Sequence, residues 1–233
     1  MKTPTLILFD IDGTILTSGG AGETALRTGF QEEFGLEENL TTIEISGRTD
    51  SGIARQVLAK HNLPATVENL TRFYEAYLRH LERLLPSRQG RLLPGVRELL
   101  ESLRQQPDTF LGLLTGNLRD GARLKLQHYG VADFFECGAF ADDHHDRNQL
   151  GSLALARAHE THGIRFAAEN TFVIGDTPHD IGCARACGAR AVAVATGSFT
   201  REGLAPFEPD ALFEDLSNLP AVLSALGRGV QAL

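Results

Sequence analysis

The pattern of apolar and polar positions divides this chain into three stretches. The first is short: Leu6, Ile7, Leu8 and Phe9 run without interruption into Asp10. A continuous apolar run bounded by polar residues predicts a strand buried on both faces, as a parallel sheet requires. The second stretch, residues 16–91, carries helical periodicity alone. Leu26, Phe30 and Phe34 recur at spacings of four before Gly35, which predicts a helix from about Ala21. Thr49 or Asp50 is placed to cap a second helix through Ile53, Val57 and Leu58. Leu70, Phe73, Tyr77, Leu81 and Leu84 line one side of a third helix, which Pro86 ends. That is too much helix for one crossover, so residues 16–91 are expected to form an inserted helical cap domain.

The third stretch, residues 92–233, alternates. A helix is expected over 96–105, then a buried strand over 110–114 that ends in Thr115-Gly116-Asn117. A helix over 119–129 is stopped by Gly130. Residues 131–140 are ambiguous, and 142–146 form a polar loop, DDHHD. After a helix over 148–161, a third buried strand over 171–174 ends in Gly175-Asp176. A helix over 181–186, a strand over 190–195, a short strand at Ala211 and Leu212 and a last helix over 216–226 follow. Alternation of this kind predicts an α/β fold: a doubly wound, mostly parallel, Rossmann-like sheet covered on both faces. Residues 1–15 and 92–233 form this α/β core.

Composition narrows the function classes. The net charge of -8 offers no basic footprint for nucleic acid or an anionic membrane. No apolar run approaches the length of a membrane span, and the N-terminus lacks a signal-peptide core. Three cysteines, Cys137, Cys183 and Cys187, argue against a disulfide scaffold and fit a reducing, cytoplasmic setting.

The candidate chemistry sits where the predicted strands end. Asp10 and Asp12 follow the first, Thr115, Gly116 and Asn117 the second, and Asp176, Thr177 and Asp180 the third. Parallel strands would bring these ends to one rim, where open α/β sheets bind ligands. Clustered carboxylates need a cation or a shared proton. Oxygen ligands without thiolates favour Mg²⁺ over zinc. Thr115 and the backbone after it, just before a helix, form a natural phosphate seat. Arg147, at the start of another helix, is placed to neutralise a phosphoryl group.

These residues resemble the haloacid dehalogenase superfamily. Its DxDGT motif is matched by Asp10-Ile11-Asp12-Gly13-Thr14, its strand-ending Ser or Thr by Thr115, its basic residue by Arg147 and its GDxxxD motif by Gly175 to Asp180. The helical insertion is similar to the family's first type of cap. The resemblance implies that Asp10 attacks phosphorus to form an aspartyl-phosphate, and that Asp12 serves as acid and then base. It also implies that Asp10, the Asp12 backbone carbonyl and Asp176 hold Mg²⁺ with support from Asp180, and that Thr115, Gly116, Asn117 and Arg147 bind phosphate. Family dehalogenases and phosphonatases lack an acid at the position of Asp12. Thr14 weighs against the sugar-phosphate mutases, which usually carry Val there. A non-enzymatic phosphoryl-binding domain is the other alternative. The cap style is similar to that of phosphoglycolate phosphatases, which implies a small phosphorylated acid or sugar as substrate. A nucleoside monophosphate is a further class. Arg48 and Thr49, in the polar stretch 46–50, are candidates for contacting substrate. Oligomeric state is not legible.

Overall fold

The apolar run after Pro4 forms the central strand β1 (Thr5–Phe9) of a six-stranded sheet, seen in a computed structural model that describes residues 3–229. Strand β4 (Thr109–Leu114) flanks it on one side and β6 (Thr171–Gly175) on the other. The order is completed by β5 (Cys137–Ala139) beyond β4, and by β7 (Arg190–Val194) and β8 (Ala211–Phe213) beyond β6. Every pairing in this sheet is parallel.

Alternate β1 side chains enter opposite layers, as the two-residue period of a strand requires. Ile7 and Phe9 pack with α4 (Val96–Arg104), α5 (Arg119–His128) and α9 (Leu219–Ala225) through Leu99, Leu126 and Val222. Leu6 and Leu8 pack with α6 (Leu150–His162) and α7 (Pro178–Ala186) through Ala154 and Ile181. Every β1 residue is buried, so truncating Leu8 to Ala is expected to cost ~2–5 kcal/mol. The doubly wound α/β reading is borne out.

Between Thr17 and Arg91 the chain is helical and irregular: α1 (Ala21–Phe34), α2 (Asp50–Lys60) and α3 (Val67–Leu84) share an apolar cluster around Phe30, Val57, Phe73 and Tyr77. Gly29 permits the close crossing of α1 and α3, since a Cβ there would lie 2.8 Å from the Tyr77 amide nitrogen. Leu118 and Ala141 of the α/β part join this cluster, so the helical segment is seated on the sheet's rim. An antiparallel pair of two-residue strands, β2 (Leu16–Thr17) and β3 (Arg91–Leu92), ties the segment's entrance to its exit. These strands were not anticipated, because two residues cannot display a period.

Other boundaries shift. Residues 131–140 resolve into a 3₁₀ turn (Ala132–Phe134) and edge strand β5. Helix α7 begins at Pro178, earlier than its apolar residues suggest, because Thr177 and Asp180 form a capping box. A short helix α8 (Arg201–Leu204) was missed.

Candidate active site

Because β4, β1 and β6 are adjacent and parallel, their ends deliver Thr115, Asp10 and Asp176 to neighbouring points on one rim. Asp10 is only 4% exposed, and its backbone N–H donates to the Ile174 carbonyl at 2.9 Å. Thr115 is fully buried, and its hydroxyl accepts from Asn117 Nδ2 at 2.9 Å. Asp176 is likewise buried and accepts from the Thr14 hydroxyl at 3.1 Å. Gly13, at φ +83°, makes the turn between these partners, and a Cβ there would press on the Asp176 carboxylate.

Arg147 reaches this cluster from a 3₁₀ turn (Arg147–Gln149) capped by Asp146. Its Nη2 lies 2.8 Å from Asp10 Oδ1 and also binds Asp180. Nη1 donates to the Gly47 carbonyl of the helical segment at 3.1 Å. Arg147 Nε is buried without a protein partner among the described residues, so the guanidinium retains a donor. Asp180 is held by the N–H of Thr177 at 3.0 Å and its hydroxyl at 2.7 Å. Asp10, Asp176 and Asp180 offer carboxylate oxygens that all lie within 4.8 Å of one another.

Burial pushes the Asp10 carboxyl up to about 6; Arg147 opposes the shift, and Asp180 and Asp12 add to it. Asp176 is raised well above the carboxylate range by burial, then by Asp180 and Asp10. Burial alone would lower the pKa of Arg147, but Asp180 and Asp10 raise it, so the guanidinium stays charged. One arginine does not balance three buried carboxylates. Their oxygen-only donor set therefore fits a hard divalent cation, which would relieve the repulsion.

Asp12 has different company. Its side chain is 43% exposed and is held at Oδ2 by Asn117 Nδ2 at 2.9 Å and Lys125 Nζ at 2.5 Å. Asn117 lines the cavity, and its side chain binds Asp12, Lys125 and the Thr115 hydroxyl. Gly116 lines the cavity and gives its carbonyl to the Asp50 N–H at 2.6 Å.

Lys125 was missed in the sequence. The signal was a charge on an apolar stripe, since Ala122, Lys125 and Leu126 share the buried side of α5. Asp50 was read only as a cap for its own helix. Thr49 takes that role, accepting from the Gly52 N–H at 3.0 Å, while Asp50 Oδ2 accepts from Leu118 N–H at the start of α5 at 2.8 Å.

A cavity of about 500 Å³ opens over these groups, between the rim and the helical segment. Asp10, Asp12, Arg48, Asn117, Lys125, Arg147 and Asp176 line it. Arg48 is half-exposed and pairs with Glu44 through Nε at 2.8 Å. Glu44 in turn meets His179 Nε2 at 3.3 Å. Thr49 does not line the cavity: it is buried, and its hydroxyl is committed to the Gly52 cap and the His145 carbonyl. The polar loop 142–146 is engaged in structure, with Asp143 paired to Arg157 and Asp142 accepting from Arg119 N–H at 2.6 Å.

Two relatives match the chain over most of their length. The chain is 28% identical over 228 residues to Probable phosphatase IndB of Dickeya dadantii, covering 95% of this chain and 94% of the relative. It is 29% identical over 222 residues to a phosphoglycolate phosphatase of Synechococcus elongatus, covering 95% and 98%. The crystal structure of CbbY from Rhodobacter sphaeroides in complex with phosphate superposes with a TM-score of 0.72 at 17% identity, covering 93% of this chain and 96% of that one, and so shares the fold. Residues 7–194, which span the acidic turn after β1, the helical segment and the acidic capping box of α7, match the haloacid dehalogenase-like hydrolases, and the chain belongs to that family.

Proposed function

We propose that this enzyme is a Mg²⁺-dependent phosphomonoester hydrolase that acts through an aspartyl-phosphate on small phosphorylated metabolites. The observation that carries the reading is the separation of Asp10 from Asp12. Two carboxylates two residues apart have unlike partners: Asp10 faces Arg147, Asp176 and Asp180, while Asp12 is held by Asn117 and Lys125. Such a pair suits two roles, a nucleophile beside the phosphoryl group and a proton carrier at the leaving group.

In this account an Asp10 carboxylate oxygen attacks phosphorus and the P–O bond to the leaving group breaks. Asp12 gives a proton to the departing oxygen, then takes one from the water that hydrolyses the aspartyl-phosphate. Arg147, with its charge, and Thr115 stabilise the transferring oxygens. Asp10, the Asp12 backbone carbonyl and Asp176 would hold Mg²⁺, with Asp180 in support, and the ion would supply counter-charge to the phosphoryl oxygens. Residues 16–91 act as a cap that closes the cavity. Its size suits a small substrate, with phosphoglycolate the first to try, given the likeness to phosphoglycolate phosphatases. Three free cysteines, and no helix among the described residues long and apolar enough to cross a membrane, support a cytoplasmic setting.

The test is a panel of phosphorylated metabolites assayed with Mg²⁺ and after chelation. The reading predicts Mg²⁺-dependent release of phosphate from a small monoester. Activity untouched by chelation, or transfer of the phosphoryl group to a second sugar position without release, would contradict it.

A further inference from the structure

Lys125 has no part in the chemistry above, yet its placement is costly. A lysine that is 3% exposed must recover its lost hydration from its neighbours. Its Nζ does so at two atoms, Asp12 Oδ2 at 2.5 Å and Asn117 Oδ1 at 2.6 Å. Asn117 turns its own amide N–H₂ to the same Asp12 oxygen at 2.9 Å and to Thr115 Oγ1 at 2.9 Å. The three residues form a closed triangle in which one Asp12 oxygen receives two donors. Asp12 Oδ1 carries no protein hydrogen bond among the described residues, and the side chain borders the cavity.

The triangle rests on two rigid supports. Lys125 stands on α5, and Asn117 on the turn that leaves β4. The helical segment completes the surroundings. Asp50 ties α2 to α5 by accepting from Leu118 N–H at the start of α5 at 2.8 Å. The charge of Lys125 is the strongest favourable influence on the buried Asp50 carboxylate, so the lysine stands between an acid of the segment and an acid of the rim.

We propose that Lys125 is a positioning residue for Asp12: with Asn117 it pins one carboxylate oxygen and leaves the other to exchange a proton with the leaving group. The proposal rests on the acid–base reading of Asp12. The proton passes from Asp12 Oδ1 to the leaving oxygen as the P–O bond breaks, and Lys125 neither gives nor takes it. A one-ångström displacement of a reacting group can cost ~10²-fold in rate. Loss of the lysine should therefore act like partial loss of Asp12, and only where the leaving group needs a proton.

The experiment compares Lys125→Met, Lys125→Arg, Asp12→Asn and the Asp12→Asn/Lys125→Met double variant. Each is assayed in single-turnover phosphorylation, and in steady state for kcat and KM, with an alkyl phosphate that the wild type hydrolyses and with 4-nitrophenyl phosphate. Lys125→Met should slow the alkyl substrate roughly 10²-fold with KM little changed, and the nitrophenyl substrate far less. The double variant should be no slower than Asp12→Asn. Lys125→Arg keeps the buried charge, so it serves if the methionine variant fails to fold, and it should show the same bias with a smaller loss. Equal losses on both substrates, a raised KM at unchanged kcat, or losses that multiply in the double variant would overturn the proposal. If Asp12→Asn itself fails to distinguish the two leaving groups, the acid–base reading falls and this proposal with it. A bias in Asp12→Asn that neither lysine variant shares overturns the proposal alone.

Discussion

Arg147 Nη2 lies 2.8 Å from Asp10 Oδ1 and binds Asp180 with the same nitrogen, so one guanidinium joins the acid after β1 to the capping box of α7. Its other terminal nitrogen holds the Gly47 carbonyl of the helical segment. A planar fork can span these partners; an ammonium, which projects from one point, cannot serve them all. A lysine in place of Arg147 would therefore leave some of these contacts unmade.

Arg147→Ala should accordingly lower kcat by ~10²–10³-fold, the loss expected for one donor to transition-state charge. It should also cost ~3–5 kcal/mol of stability, because buried carboxylates lose their cation. Arg147→Lys should keep most of the stability and recover only part of the rate. Steady-state kinetics and urea melts check both. A lysine variant with full activity would show that the fork geometry is immaterial.

Glu38 supplies a pH test of the helical segment. Its side chain is 1% exposed and meets Lys60 Nζ at 2.8 Å, His61 Nε2 at 2.9 Å and the Leu40 N–H at 2.6 Å. Burial alone would raise its carboxyl, but Lys60, the Leu40 N–H and His61 pull it down to about 2 from an ordinary 4.5. A depressed carboxylate stabilises the fold above the unfolded value and loses that contribution as pH falls toward the folded one. Glu38→Gln should thus lower Tm at pH 7, and its deficit should shrink below pH 4.5. A deficit that stays constant down to pH 3 would remove the carboxylate charge from the explanation.

Arg48 borders the cavity but is paired with Glu44. If it exchanges that partner for a substrate group, Arg48→Ala should raise KM roughly tenfold for a metabolite that reaches it, the size of one charge-assisted hydrogen bond. 4-Nitrophenyl phosphate should be spared. Equal effects on both substrates would assign Arg48 to closure of the cap.

What could be read from the sequence follows from how each residue is placed. Strands β1, β4 and β6 are buried on both faces, so each wrote a continuous apolar run, and the polar residues beyond those runs marked the rim. Strand β5 is three residues long and includes Gly138, so it left no comparable trace. Asp10, Asp176 and Arg147 were identifiable because strand ends and a helix start fix their positions. The pairing of Asp12 with Asn117 and Lys125 was not, because it joins positions more than a hundred residues apart through side-chain torsions that no spacing encodes. Thr49 and Asp50 were interchangeable in sequence as helix caps. The fold separates them by seating α2 against Leu118, which gives Asp50 a partner on another helix.

In the proposed reaction Asp10 becomes phosphorylated. The direct measurement is rapid acid quench of the enzyme turning over 4-nitrophenyl phosphate, followed by peptide mapping by mass spectrometry. The account predicts one phosphoryl group on the peptide that carries Asp10, absent in Asp10→Asn. It predicts a higher steady-state level in Asp12→Asn, where formation proceeds with a good leaving group but the water step lacks its base. Phosphate released at the full wild-type rate with no label on Asp10 at any quench time, or label on another residue that persists in Asp10→Asn, would contradict it.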